Sequence, residues 1–192
     1  MTESEAMLER VAAALKRRGF EAYTCRSGLE ARAIALAAAS ESRVVGIGGA
    51  ETLKQIGVPE ALTKAGKTLV RETPCDVFML SANALTEDGR IVNIDGNGNR
   101  VAASIHGADQ VVYVVGRNKI VAGGVDEAIA RIKRFACPPN CRRLGKKTPC
   151  AATGVCADCD SPDRICKVTV VMDRKPTGTH ATVILVNEDL GY

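Results

Sequence analysis

Short apolar runs rich in β-branched residues alternate along the chain with segments of helical periodicity. RVVGI at 43–47 and QVVYVV at 110–115 are apolar almost throughout, whereas 4–18 and 125–135 carry apolar side chains every three or four residues. Strands that are apolar on both faces are typical of parallel sheets covered by helices. The alternation therefore predicts an α/β fold, a mostly parallel sheet flanked by helices, in a single domain that spans residues 1–192.

The same pattern predicts the remaining elements. Strands are expected at 20–25, 68–71, 76–82 and 91–95, and helices at 29–39, 50–56 and 100–106. The last two apolar runs, 168–172 and 182–186, are predicted to pair as a hairpin with PTG at 176–178 as its turn. The segment before this hairpin, 137–166, is predicted to be a Cys-rich, metal-binding insertion without regular secondary structure.

Four cysteines near the C-terminal end carry the most specific chemical signal. They follow the spacing C-x5-C-x2-C-x6-C and are Cys150, Cys156, Cys159 and Cys166. Thiolates are ligands for zinc and for iron–sulfur clusters. One C-x2-C pair with two outlying cysteines is closer to the uneven spacing of plant-type cluster ligation than to the paired knuckles of structural zinc sites. The motif therefore predicts an iron–sulfur cluster, expected to be 4Fe-4S, with zinc as the alternative.

The other cysteines have other interpretations. Cys137 and Cys141 in ACPPNC are interpreted as incidental thiols at a helix end, or else as substitute ligands. Cys25 and Cys75 have apolar neighbours and are predicted to be small core residues. Disulfides or a redox switch are the alternative to a metal. Because the chain shows neither the apolar run of a signal peptide nor about 18 consecutive apolar residues, we expect no membrane span and a reducing, cytoplasmic location, which favours the metal.

A glycine-rich turn joins a predicted strand to a predicted helix in VVGIGGAETL. Gly46, Gly48 and Gly49 would let the backbone approach a ligand, and free N–H groups at the helix start would attract an anion. Thr52 would add a hydroxyl group. The motif is neither G-x-G-x-x-G nor a P-loop, so a tight turn without a ligand is the alternative.

Polar residues are dense after the predicted strand at 76–82. The candidate ligand-binding residues here are Asn83, Thr86, Asn93, Asp95, Gly96, Asn99 and Arg100. Open α/β sheets bind ligands in the crevice at the carboxyl ends of their strands, and Arg100 suits a small anion, either a carboxylate or a phosphate. Arg117 and Lys119 in GRNK at 116–119 follow the strand at 110–115, and both are expected at the same edge. Asx-type turns and a solvated turn are the alternatives without a ligand.

Charge and aromatic content argue against a nucleic-acid partner. The net charge of +4 is too small for a binding surface of that kind. With no tryptophan and 3% aromatic residues, the chain also offers no surface on which bases could stack. The cations are concentrated before the cysteines, as at Arg142 and Lys146, where they would lower thiolate pKa values and offset an anionic metal centre.

Four segments of the chain resemble the lactate-utilisation, or LUD-domain, family: VGIGGAETLKQIG, DVFMLSANALTEDGRIVNIDGNGNRVAA, VVYVVGRNKIV and VNEDLGY. The resemblance implies the fold shared by ribose-phosphate isomerases and coenzyme A transferases, with the glycine-rich turn at the ligand crevice. Members of the family are associated with lactate oxidation in the bacterial cytoplasm beside iron–sulfur partner proteins. The resemblance therefore implies a redox role in lactate or related organic-acid metabolism, an iron–sulfur redox partner protein, and a homodimer.

A more distant resemblance concerns catalysis. SANALTEDGRIVNIDGNGNRVA is similar to a stretch of the methylthioribose-phosphate isomerases in which an aspartate moves a proton, and Asn83 stands at that position. An amide cannot act as a general acid or base. The substitution argues against sugar-phosphate isomerisation and leaves ligand binding open.

Three functions remain open from the sequence. The first is a redox accessory protein with an iron–sulfur centre held by four cysteines and a small anionic ligand in the crevice. The second is an enzyme of the isomerase or transferase type that acts on a phosphorylated or acyl ligand and carries a structural metal. The third is a zinc-stapled binding module without catalysis.

Overall fold

The computed structural model describes all 192 residues. Its helices are α1 (Glu3–Arg17), α2 (Gly28–Ala38), α3 (Glu51–Gln55), α4 (Val58–Lys64), α5 (Asn99–Ala103), α6 (Val125–Arg131), α7 (Cys137–Arg143) and α8 (Pro149–Thr153). Its strands are β1 (Glu21–Cys25), β2 (Val44–Ile47), β3 (Thr68–Val70), β4 (Cys75–Leu80), β5 (Ala84–Thr86), β6 (Ile91–Asp95), β7 (Ala108–Gly116), β8 (Ile120–Val121), β9 (Val168–Met172) and β10 (His180–Val186). None of the helices combines the length and apolar character needed to cross a membrane.

Six strands form a wholly parallel sheet in the order β1-β10-β7-β4-β2-β3. The central strands β4, β7 and β10 are buried along most of their length. Helices cover both faces of a parallel sheet, so a strand whose residues are apolar throughout is buried on both sides. The predicted α/β fold, with a mostly parallel sheet flanked by helices, is confirmed.

The two faces of the main sheet enter two different cores. Successive side chains of a strand point to opposite faces, so Val77 and Met79 pack with α2, α3 and α4, whereas Phe78 and Leu80 pack with α1. A second sheet, in the order β8-β5-β6-β9, lies on the α1 side and shares its core. The far face of this second sheet is covered by α6, through residues such as Ile132 just after that helix.

The predicted hairpin of 168–172 and 182–186 is wrong. β9 pairs antiparallel with β6 in the second sheet, whereas β10 lies between β1 and β7 in the main sheet and is parallel to both. The two strands differ in burial, since β9 is exposed at its start and β10 is buried after its first residue. A strand buried on both faces belongs inside a parallel sheet and a half-exposed one belongs in a mixed sheet. The difference in burial between β9 and β10 therefore decides which sheet each strand joins, and the turn residues PTG do not.

The cysteine segment 137–166 contains two helices, α7 and α8, which pack against each other. Pro138 lies in the first turn of α7 and Pro149 begins α8, where the missing N–H of proline leaves no hydrogen bond unmade. Gly154 ends α8 with a φ of 79°, the left-handed conformation that glycine adopts without strain. The prediction of an insertion without secondary structure is therefore wrong over these two helices.

The order in which successive strands are added to the main sheet reverses between β2 and β4, although all the strands run parallel. From β2 it continues outward to β3, whereas from β4 it continues through β7 toward the other edge. Ligands of open α/β sheets bind outside the carboxyl ends of the strands at such a point. A ligand-binding site is therefore expected at the loops that follow β2 and β4.

Candidate functional site

A cavity of about 390 Å³ opens at the carboxyl ends of β2 and β4. Its walls come from the turn after β2, the polar loops after β4 and β6, and the cysteine segment. Five of the residues predicted to bind a ligand line it, and these are Gly49, Asn83, Asp95, Gly96 and Arg100. The location agrees with the position at which open α/β sheets bind ligands.

Two of the three glycines in the glycine-rich turn serve packing. A Cβ at Gly46 would overlap the ring of Phe78, its partner on the neighbouring strand. A Cβ at Gly48 would lie 3.0 Å from the Cγ of Arg100. Only Gly49 lines the cavity, and a Cβ there would have no neighbour within 4 Å. The motif therefore combines close packing at its first two glycines with an open wall at its third.

Arg100 ties together the loops after β4 and β6. Its Nη1 donates to Asn93 Oδ1 at 2.9 Å, and its Nη2 donates to Asn83 Oδ1 at 3.0 Å and to the main-chain oxygen of Ile94 at 2.9 Å. Its Nε lies 3.4 Å from Asp95 Oδ2. Burial lowers the pKa of Arg100, and the charge of Asp95 opposes this effect. Because most of its donors are used within the protein, Arg100 contributes to the cavity a fixed wall and a positive charge.

Two buried polar atoms beside this arginine have no hydrogen-bond partner. They are Asn93 Nδ2 and Asp95 Oδ2. The other carboxylate oxygen, Asp95 Oδ1, accepts from the main-chain N–H groups of Asn97 and Gly98, so an Asx-type turn is present as well. Buried polar atoms in native proteins are nearly always paired. Asp95 Oδ2 has only the Nε of Arg100 near it, at 3.4 Å, so the wall that these residues form is polar and incompletely hydrogen-bonded.

The remaining predicted residues do not line the cavity, and these are Gly46, Gly48, Thr52, Thr86, Asn93, Asn99 and Arg117. Thr86 closes the turn after β5 through its hydroxyl group. Asn99 points away from the cavity toward Glu72, at 3.5 Å. Arg117 pairs with Asp189 at 2.9 Å on the exposed side of the turn after β7.

A buried lysine, Lys119 in the GRNK motif, belongs to the cavity wall. Lys119 is 4% exposed, and its Nζ donates to Thr52 Oγ1 at 2.7 Å and to Ser81 Oγ at 2.8 Å. Burial, followed by the charges of Arg131 and Arg100, lowers the pKa of Lys119 from 10.5 to about 7. No carboxylate pairs with it to oppose this effect. The amine is therefore available in both protonation states near neutral pH.

The sequence contained only part of the signal for this lysine. GRNK at 116–119 follows a buried strand, which predicts that its cations lie at the ligand edge of the sheet. The 3-10 turn at Arg117–Lys119 directs the first of these cations to solvent and the second into the protein. The direction of each side chain depends on the fold of this turn against the rest of the molecule, and it could not be predicted from a four-residue motif.

Positive charge dominates the cavity wall. Its cations are Arg100, Lys119, Lys146, Arg164 and Lys167, and its acids are Glu51, Asp95 and Asp163. Lys146 and Lys167 form no ion pair, whereas Glu51 is held by Lys54 at 2.9 Å. A concave wall with unpaired cations attracts small anions.

Five cysteines of the segment 137–166 lie near one another. They are Cys137, Cys141, Cys150, Cys156 and Cys166. Burial raises the pKa of Cys137 to about 12, and the four neighbouring cysteines add to this effect. The sulfur atoms of Cys141 and Cys150 are 3.7 Å apart because α7 packs against α8.

Three of the four predicted ligands, Cys150, Cys156 and Cys166, belong to the group around Cys137, which also includes Cys141. No three side chains of His, Cys, Asp or Glu are arranged here to hold a single metal ion, and every cysteine is a free thiol. Cys25 and Cys75 are buried in the two cores of the main sheet, as predicted. Cys137 lies at the start of α7 and also lines the cavity.

Comparison with known proteins identifies the family. A sequence model of the LUD domain matches residues 8–73 and 67–186. The chain belongs to the LUD-domain family. This LUD-domain protein is similar in structure to a DUF162 family protein from Deinococcus radiodurans, with a TM-score of 0.56 and 15% sequence identity over 97% of this chain and 100% of the other. At this identity the likeness supports the fold alone, and no curated protein sequence matches the chain.

Proposed function

We propose that this LUD-domain protein binds a small carboxylate or phosphate in the cavity and holds an iron–sulfur cluster on the adjoining cysteines. Its role would be that of a cytoplasmic redox accessory protein in lactate or related organic-acid metabolism. The observation that carries this proposal is the position of Cys137, which lines the cavity and lies among four other thiols. An oxidisable ligand and an electron-accepting centre would then be neighbours.

The anion half of the proposal rests on charge and polarity. Lys146 and Lys167 present unpaired positive charge at the cavity, and Lys119 adds a third cation when it is protonated. The wall is fixed by the hydrogen bonds of Arg100, so the site needs little reorganisation on binding. A volume of about 390 Å³ suits a small molecule.

The metal half rests on the chemistry of the donors. The thiols around Cys137 fit a cluster, since Cys150, Cys156 and Cys166 are joined there by Cys141, which can replace Cys159 as the fourth ligand. Arg164 holds the loop in place by donating to the main-chain oxygens of Cys159 and Cys166, each at 2.8 Å. When bound, an iron–sulfur cluster supplies storage and transfer of one electron.

Metal analysis after anaerobic purification tests the metal half. We expect brown protein with bound iron and sulfide, and we expect Cys156→Ser to lose both. Cys25→Ala is the matched control, because Cys25 lies in the core away from the cysteine segment and its loss leaves the donors intact. A comparison of Cys141→Ser with Cys159→Ser then identifies the fourth ligand. Colourless, iron-free protein made and handled without oxygen would refute the cluster.

Titration calorimetry with lactate and with inorganic phosphate tests the anion half. We expect at least one of the two to bind, and we expect Lys146→Ala to weaken that binding because it removes a cation that no acid neutralises. Lys64→Ala, on the exposed end of α4, removes the same charge away from the cavity and serves as the control. The absence of heat with both anions would contradict this half of the proposal.

One observation favours each alternative. The distance of 3.7 Å between the sulfurs of Cys141 and Cys150 is close to the roughly 3.8 Å that tetrahedral zinc with bonds of about 2.3 Å imposes on its ligands. Stoichiometric zinc without iron would select the zinc-stapled module. The buried amine of Lys119 favours an enzyme of the isomerase or transferase type in which the metal is structural. Turnover of a phosphorylated or acyl compound by metal-loaded protein would select that function.

We further infer a homodimer and an iron–sulfur redox partner protein. Both inferences follow from the family, and closed symmetric dimers are the commonest oligomers. Light scattering at several protein concentrations tests the first, and a monomeric mass throughout would contradict it. Reduction of the purified protein by a ferredoxin-type donor tests the second.

A further inference from the structure

We propose that Lys119 is an imine-forming lysine, and that the cavity accepts a small anionic carbonyl compound whose carbonyl carbon is attacked by Nζ. The substrate class is a 2-oxo carboxylate or a phosphorylated aldehyde or ketone. This inference rests on the anion cavity of the proposed function and adds a covalent step to it.

The first support is the hydrogen bonding of the amine. Thr52 Oγ1 lies 3.2 Å from the main-chain oxygen of Leu190, and Ser81 Oγ lies 3.3 Å from that of Ala82. Each hydroxyl group has a carbonyl oxygen to which it can donate its own hydrogen while it accepts from Lys119, and Thr52 Oγ1 also lies 3.4 Å from Ser81 Oγ. A neutral amine has two N–H donors and one lone pair. Both donors of the neutral amine are satisfied in this arrangement, and its one remaining position holds the lone pair, or the third proton when the amine is charged.

The second support is the surroundings of the amine. Lys119 is buried and forms no ion pair, so its ammonium form has two hydroxyl acceptors but no opposite charge to compensate its desolvation. The charges of Arg131 and Arg100 act on it in the same direction. Arg131 is fixed by hydrogen bonds to the main-chain oxygens of Asn83 at 2.8 Å and Asn118 at 2.9 Å. Desolvation and a neighbouring cation are the two means by which proteins activate a lysine as a nucleophile.

The third support is the match between cavity and substrate class. Lys119 lines the same cavity as Lys146 and Lys167, so an anionic group held by those two cations would share the cavity with the amine. A carbonyl group is required because an amine condenses with it reversibly. A hydroxy acid has no such group and can bind only without reaction.

The chemistry balances without a further reactant. The lone pair of Nζ forms a bond to the carbonyl carbon and the C=O π electrons move to oxygen. Both amine protons are transferred in turn to that oxygen, which leaves as water when the C=N bond forms. No electron is gained or lost, so the step needs no oxidant or reductant. Borohydride, which reduces the C=N bond to a stable amine, then records the imine.

Borohydride trapping with two probes is the test. Protein is incubated with pyruvate in one arm and ribose 5-phosphate in the other, reduced, digested and mapped by mass spectrometry. We expect a reduced adduct on Lys119 in at least one arm, with labelling at pH 7.5 more than about tenfold above that of the exposed Lys64, because burial lowers the pKa of Lys119 to about 7. The arm that labels decides between the carboxylate and the phosphate class.

Two variants sharpen the test. Lys119→Arg should lose the adduct, whereas Lys64→Arg should keep it. Peptide mapping of the parent protein identifies the labelled lysine without either variant. A variant that fails to fold therefore does not weaken the result. Absence of a Lys119 adduct in both arms, or equal labelling of Lys119 and Lys64, would overturn the inference.

Calorimetry separates this inference from the proposed function. Binding of pyruvate or ribose 5-phosphate with no Lys119 adduct in either trapping arm would overturn the lysine chemistry and leave the anion cavity standing. Absence of binding by every anion would overturn both. The iron and sulfide content of the protein is independent of either outcome.

Discussion

Replacing Gly46 by alanine should destabilise the protein, whereas replacing Gly49 should not. Both glycines belong to the glycine-rich turn, but Gly46 lies opposite Phe78 on the neighbouring strand, and the ring of Phe78 covers it. The new Cβ would overlap that ring and approach the sulfur of Cys75 to 2.8 Å. Phe78 is fully buried, so its ring can move only by displacing its core neighbours.

The expected magnitudes follow from two opposing effects. An added carbon in a packed core costs about 1–3 kcal/mol. Replacing glycine by alanine at a φ that alanine tolerates returns about 0.4–1 kcal/mol by restricting the unfolded chain. Because the overlap with the ring of Phe78 is severe, the cost for Gly46→Ala lies in the upper half of the first range. The net loss in the free energy of unfolding is then about 1–2.5 kcal/mol, or about 2–10 °C in Tm for a domain of this size. For Gly49→Ala only the second effect applies, so stability should be equal or slightly higher.

Urea unfolding followed by far-UV circular dichroism measures both changes. This signal is suitable because the chain has no tryptophan to report on its core. A Gly46→Ala protein within about 0.5 kcal/mol of the parent would refute the packing argument, since surface-like effects have that size. A Gly49→Ala protein destabilised as much as Gly46→Ala would refute the distinction between the two positions.

Three further predictions concern the cavity. Between pH 7 and 10, Lys119 binds a proton in the unfolded chain but not in the folded protein, so its contribution to the free energy of unfolding rises with pH, on the order of 1 kcal/mol per pH unit. Urea titrations at pH 7 and 8.5 should show this rise in the parent protein and not in Lys119→Met. An equal change of stability with pH in the two proteins would contradict the prediction. Asn83→Ala should cost about 1–3 kcal/mol because it removes an acceptor of Arg100, and urea unfolding checks it, with an unchanged midpoint as the contrary result. Arg131→Gln should move the pH midpoint of borohydride labelling at Lys119 upward because one of the charges that lower its pKa is removed, and a fixed midpoint would show that burial acts alone.

The secondary structure was predictable where burial and periodicity agree. The helix predicted at 4–18 appears as α1, because a helix is the structure that places its periodic apolar residues on one buried face. The strand predicted at 110–115 appears as β7, because its continuous apolar run is buried on both faces of the sheet. The placement of β9 and β10 was not predictable, because a local turn signal suggested a hairpin while the partners of both strands lie far away in the chain. Strand pairing depends on contacts between distant segments, and a single sequence shows none of them.

The cysteine group shows the same limit on a smaller scale. Spacing indicated Cys150, Cys156, Cys159 and Cys166 because they are close in sequence. Packing of α7 against α8 also brings Cys141 to 3.7 Å from Cys150, a neighbour that the spacing did not indicate. Prolines at the starts of these helices were visible in the sequence, but their meaning as first-turn residues required the helices themselves.

The amino-acid sequence alone determined that this protein is an α/β domain of the LUD family with its polar residues at the carboxyl edge of the sheet, because hydrophobic pattern and motif identity are local properties. The tertiary structure decided which of those residues share a cavity. Arg117 and Lys119 are two positions apart, yet one is paired with Asp189 on the exposed side and the other is buried against two hydroxyl groups. Side-chain direction and burial are set by what packs around a turn, and that information exists only once the chain has folded.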